Sequence, residues 1–112
     1  MAELLINHHE KEDCCTTYVN GTICRMVSSI GRYRFRNAVP LMVYLDEDSF
    51  VHMECETADL FAVGETEEEA YRNLIDELDF AWEAYVKSNK STLHDSALAY
   101  RDWLLDNLVV SS

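Results

Sequence analysis

Little in this 112-residue chain permits sharp bends or long membrane spans. It has three glycines and one proline, which excludes collagen-like and linker-like chains. No apolar run approaches the ~20 residues that a membrane helix needs. The longest, Val39 to Leu45, has the length of a strand and contains Pro40. Positive charge is also scarce: nine Lys and Arg stand against 21 Asp and Glu, a net charge of −12. Duplex DNA repels such a chain, because nucleic-acid affinity rests largely on phosphates neutralised by Lys and Arg. The opening MAELLINHHEKED carries Glu3 and no basic start, so it does not read as a secretory signal, and a cytoplasmic location is expected. Four cysteines (Cys14, Cys15, Cys24, Cys55) then read as buried thiols rather than a disulfide framework.

What is present suffices for a core. Apolar residues make up 48% of the chain and aromatics 11%, and one domain of this length hides roughly two-thirds of its unfolded surface. The charge is uneven. Residues 46–84 hold fourteen acids and one base, Arg72, whereas residues 25–36 hold four arginines and no acid. An acidic surface of this kind attracts a basic protein and speeds its encounter.

The hydropathy pattern predicts an α+β fold: an antiparallel sheet of three to five strands with two helices, the first packed on one sheet face. Residues 1–13 read as a mobile arm, and 14–112 as one domain. Asn20-Gly21 is a strong hairpin signal, because both residues accept the positive φ of a type I′ turn. Thr16 to Val19 and Thr22 to Val27 flank it and form an N-terminal hairpin. Arg32-Tyr33-Arg34-Phe35-Arg36 alternates with period two, which places the arginines on one face and the rings on the other. Val39 to Leu45 follows as a separate, buried strand. Pro40 cannot donate to a ladder, so it belongs at a strand start, an edge or a bulge. Asp46-Glu47-Asp48-Ser49 is a polar turn. Val51, Met53 and Cys55 then alternate with His52, Glu54 and Glu56, giving a dry and a wet face. Leu60 to Val63 completes a three-stranded meander.

Thr66-Glu67-Glu68-Glu69 opens a helix. Thr66 can cap the free amides, Glu69 can reach back to the cap amide, and three acids suit the positive helix end. Ala70, Leu74, Leu78, Ala81, Trp82 and Tyr85 form one apolar stripe, and the helix should end near Ser88-Asn89. Thr92 and Asp95 repeat the capping pattern for a second helix, with Leu93, Ala97, Tyr100, Leu104 and Leu108 on one side and Trp103 and Leu105 beside it. Trp82, Tyr85, Tyr100 and Trp103 read as packing between the helices or in a dimer.

On these residues, Val39 to Lys87 resembles the HicB-like antitoxin family. The matching features are an apolar strand, the acidic turn Asp46-Glu47-Asp48, and a second strand opening with Phe50. A short third strand and then Gly64-Glu65-Thr66-Glu67-Glu68-Glu69-Ala70 complete the match. The resemblance implies a β-β-β-α core described as a partial RNase H fold. It also implies a partner, a small basic RNA-cleaving toxin whose RNA face the antitoxin blocks, with no catalysis and no cofactor. Tyr44, Asp46, Glu47, Asp48, Phe50, Glu54 and Glu56 are the expected partner-binding residues: the carboxylates stand in for RNA phosphates and the rings act as anchors. A homodimer is expected. The family's Pro and Gly between strands two and three are missing from Glu56-Thr57-Ala58-Asp59-Leu60. The further strand that usually follows the helix in that family is not seen, and residues 88–112 have room for one helix and a tail, with no DNA-binding segment.

Other readings compete. The same fold could serve as a stand-alone interaction or ligand-binding domain without a toxin. Asp46, Glu54 and Glu56, assisted by His52, could hold two divalent ions for nuclease chemistry, although carboxylates two apart arise on any amphipathic strand. His8-His9 with Cys14-Cys15 lacks the spacing of a zinc site. Arg32, Arg34 and Arg36 could contact RNA, but their alternation with the rings separates charge from stacking platform, and a salt-bridged face that pairs with acids of the neighbouring strand or of a second subunit is the expected reading.

Overall fold

The computed structural model describes residues 16–19, 21–87 and 93–110. The expected mobile arm lies outside these residues, as do Cys14, Cys15, Asn20 and Thr92. The architecture is α+β. The strands are β1 (Thr16–Val19), β2 (Thr22–Ile30), β3 (Tyr33–Leu45), β4 (Val51–Cys55) and β5 (Leu60–Gly64). Helix α1 (Glu67–Ala81) follows and runs into a wider π-type turn over Trp82–Val86. Helix α2 (Asp95–Asn107) leads into β6 (Leu108–Val110). The first five strands form an antiparallel sheet in the order β1-β2-β3-β4-β5, and β6 adds to β3.

The hairpin reading holds: Val19 pairs with Thr22, and Gly21 has φ of 80°. β2 runs on to Ile30 and turns at Gly31. The arginine stretch and Val39 to Leu45 are not two strands, as the sequence suggested, but one, β3. The apparent break is a bulge. Between the pairs Val27–Val39 and Ser29–Arg34, β3 sets residues 35–38 against the single Ser28 of β2. Pro40 therefore lies inside a strand rather than at its start. It pairs with Met26 on one side, while no described strand pairs with β3 on the other side there, because the β4 ladder reaches only to Met42 and the β6 ladder only to Phe35. The missing N–H is tolerated at this local edge.

One face of the sheet is dry. Ile23, Ile30, Tyr33, Phe35, Val39, Leu41, Val43, Val51, Met53, Cys55, Leu60 and Ala62 are buried against Ala70, Leu74, Leu78 and Ala81 of α1 and Leu104 of α2. Tyr85 meets Tyr100 edge to face at 5.0 Å between the helices as expected, whereas Trp82 lies 5.7 Å from Tyr33 of the sheet. Two expectations for the C-terminus fail. Asp95 is the first residue of α2, and its cap is His94, which forms no side-chain cap bond. Leu108 leaves the helix and opens β6, where its pairing with Phe35 buries it. A strand thus follows the second helix after all, because three extended apolar residues can satisfy the free edge of β3.

The strand-to-helix junction explains the seven-residue motif that carries the family resemblance. A methyl group at Gly64 would stand 2.4 Å from the backbone N of Ala70, so the first and last residues of the motif touch. Thr66 Oγ1 accepts from Glu69 N at 3.0 Å, and Glu69 Oε1 accepts from Glu65 N at 2.7 Å. The reaching carboxylate thus satisfies the amide one residue before the cap, not that of the cap itself. Asp59 adopts the left-handed region (φ 57°) after a short 3-10 turn at Glu56–Ala58. Aspartate tolerates that conformation better than most residues.

Candidate functional site

The other face of the sheet is covered by no element among the described residues. Cross-strand partners share a face, so the ladder places Cys24, Met42, Glu54 and Phe61 in one row across β2 to β5, and Tyr44, His52 and Val63 in the next. Asp46 and Phe50 close the turn beyond them: Asp46 N donates to Phe50 O at 3.0 Å.

At this end the polar groups are tied together. Asp46 Oδ1 accepts from Asp48 N at 2.8 Å and from Phe50 N at 3.0 Å. Its Oδ2 lies 2.8 Å from His52 Nε2; the ionised carboxylate has no proton to give, so the ring donates. Bonding to His52, then to the turn amides, holds the Asp46 carboxyl below the ordinary aspartate range. His52 is stacked on Tyr44 at 4.8 Å and tilted against Phe61 at 5.6 Å. Its Nδ1 is buried and meets no hydrogen-bond partner among the described residues. Tyr44 Oη donates to Glu54 Oε2 at 2.7 Å, and this bond to a carboxylate pushes the phenol upward. Phe61 remains 48% exposed and Phe50 37%. A shallow depression of about 250 Å³ lined by Glu54, Glu56, Asp59, Leu60 and Phe61 adjoins the ring cluster.

The expected partner-binding residues are therefore largely gathered. Tyr44, Asp46, Phe50 and Glu54 share one end of one face, Glu47 and Asp48 lie exposed at its turn, and Glu56 borders the depression. The acids of α1 belong to the opposite layer: Glu68 and Asp79 are exposed on the helix side and pair there with Arg72 and Arg32. Sequence reasoning missed Phe61 and the ring role of His52. The only trace of either was an aromatic in a wet strand position. Asp46 and Glu54 are each engaged by a neighbouring ring, and no group of three metal-ligating side chains comes together among the described residues.

The three strand arginines do not act as a unit. Arg34 alternates with buried Tyr33 and Phe35 and points to the uncovered face, and Arg36 is exposed on the bulge. Arg32 instead reaches back from the turn to Asp79 of α1 at 3.5 Å and lies 5.1 Å over the Tyr33 ring. Tyr33 Oη, which donates to Asp79 Oδ1 at 2.6 Å, completes that group. Arg34 and Arg36 form no ion pair among the described residues.

A second hollow, of about 380 Å³, lies on the helix side beside the start of α1 and is lined by Arg25, Val27, Leu41, Met53, Glu67 and Tyr71, among others. Arg25 and Glu67 approach to 3.9 Å at its wall. Of the described cysteines, Cys55 is buried, with its thiol pushed up by desolvation, whereas Cys24 is only half-buried on the uncovered face. No described helix is long and apolar enough to cross a membrane. No family model, curated protein or solved structure matches the chain.

Proposed function

We propose that this chain is a HicB-like, non-enzymatic binding module that neutralises a small basic RNA-cleaving protein by covering its RNA face. One observation carries the reading: Tyr44, Asp46, Glu54 and Phe61 converge with the acidic turn on a sheet face that no described element covers. Carboxylates beside fixed aromatic rings suit a cationic protein surface, since rings concentrate binding energy and acids steer the approach. The strand order and helix start add support, as they follow the β-β-β-α pattern implied by the resemblance over residues 39–87. The rings of Tyr33 and Phe35 are buried away from Arg34, which disfavours RNA as the ligand of the arginine strand.

The test is capture from the native cell with the full chain as bait, alongside a Glu54→Lys/Phe61→Ala variant. The expected prey is a small basic protein that is released by salt and not retained by the variant. It cleaves RNA alone and stops when the chain is added. A prey that is acidic, binds both baits alike, or has no RNA-cleaving activity to suppress would overturn the reading.

A further inference from the structure

We propose that the sheet face that no described element covers is where a second copy of this chain docks, strands antiparallel across the interface, with the arginine end of each copy on the acidic end of the other. The first observation is the composition of the face. An antiparallel sheet that meets water on one side normally alternates apolar-in with polar-out. Here the outward positions of the middle rows are Cys24, Met26, Pro40, Met42 and Val63, with Phe61 exposed beside them. Val109 of β6, level with Arg34, is 44% exposed as well.

The second observation is the placement of charge around that band. Met26 and Pro40 form its central row. With β2 as a ruler, Arg34 is level with Ser29, three residues to one side, or about 10 Å at the usual strand rise. Exposed Arg36 adjoins it on the bulge. On the other side, Glu54 shares the row of Cys24, two residues or about 7 Å away. Tyr44 and His52 lie about 13 Å away, and Asp46 lies beyond them. Cations and anions thus stand at similar distances on either side of an apolar centre. A two-fold axis in the plane between two such faces, perpendicular to the strands at the level of Pro40, sets Arg34 and Arg36 of each copy against Glu54 of the other. An axis parallel to the strands would set like charges together. The charge pattern therefore selects both the partner and its orientation, as an isologous interface requires.

The area is adequate. At about 3.3 Å per residue and 4.8 Å between strands, the unequal strands β2 to β5 together present roughly 500 Å² of projected face, and side-chain relief raises this toward the ~800 Å² per partner of a standard interface. The second copy's arginines would occupy the place that a basic partner's cations take, so the two occupancies exclude one another. Self-association is read on the chain alone, however, so its failure and that of the partner reading are distinguishable.

Sedimentation of the purified chain over a concentration series is the test. The wild type is expected to dimerise, Arg34→Glu/Arg36→Glu and Glu54→Arg are each expected to weaken the dimer at least tenfold, and an equimolar mixture of the two variants should recover it as a heterodimer. A wild type that stays monomeric at millimolar concentration, or a mixture no tighter than either variant, overturns the proposal. Concentration-dependent amide shifts of the wild type need no variant. Shifts clustered at Arg34, Met42, Tyr44 and Glu54 support it, and shifts clustered on α1 or α2 refute it.

Discussion

The two faces of β3 were built from one stretch of chain and ended in different conditions. Residues Tyr33, Phe35, Val39, Leu41 and Val43 point under the helices and are buried. Their neighbours Arg34, Pro40, Met42 and Tyr44 point to a side that no described element covers. On the dry side the contacts are mutual, because α1, α2 and the strands β2 to β6 close on one another. On the other side the polar groups are organised only at one end, through the His52, Asp46, Tyr44 and Glu54 contacts. The difference separates what holds the fold from what is free to recognise a partner: substitutions on the first side should be read in stability and those on the second in binding.

The largest expected effect is on the dry side. Leu74→Ala empties a fully buried site and should cost about 2–5 kcal/mol in urea unfolding; a loss under about 1 kcal/mol would mean that α1 does not close this core. Gly64→Ala forces a methyl group onto the backbone of Ala70. The expected cost is about 1–3 kcal/mol by the same measurement, with the helix start displaced in amide shifts. Thr66→Ala removes the cap bond to Glu69 N and should cost about 1 kcal/mol, while Thr66→Ser should retain most of it.

The uncovered side should respond weakly. Arg36→Ala is expected to stay within about 0.5 kcal/mol of wild type in unfolding, while weakening self-association. A stability loss as large as that of Thr66→Ala would erase the contrast between the faces. The smallest effect is pH-linked. The Asp46 carboxyl lies below its ordinary value, so its contribution is complete above the ordinary aspartate range and disappears as pH falls through the lowered value. Asp46→Asn should therefore lower stability at neutral pH and converge with wild type in acid, which flattens the acid limb of the stability curve. An acid limb identical to wild type would show that the His52 contact stabilises nothing.

Much of this architecture was legible because its causes are local. Asn20-Gly21 marks a hairpin, Thr66 with Glu69 marks a helix start, and the alternation from Val51 to Cys55 marks a half-buried strand. Each depends on residues a few positions apart. The same locality limits the family resemblance: its sharpest seven residues also make a packed, capped helix start, with Gly64 against Ala70 and Thr66 against Glu69. What escaped reading depends on distant neighbours. Nothing near Pro40 in the chain announces that β4 and β6 leave a gap beside it. Leu108 fits a helical stripe as well as it fits a strand, and only the free edge of β3 decides between them. His52 and Phe61 are unremarkable on their own strands and become a site only where the ladder stacks them beside Tyr44.

The sequence by itself determined the class of the molecule: an acidic α+β domain, a hairpin, a meander and an amphipathic helix with a capped start. Those outcomes follow from backbone preferences and from apolar periodicity, which act over a few residues. Tertiary structure alone decided that the arginine stretch joins the buried strand through a bulge. It also decided that Arg32 turns to Asp79 while Arg34 faces outward, and that Tyr44, Asp46, His52, Glu54 and Phe61 share one end of one face. Those outcomes depend on strand register and on which sheet edge stays free. Both arise from the simultaneous fit of segments far apart in the chain.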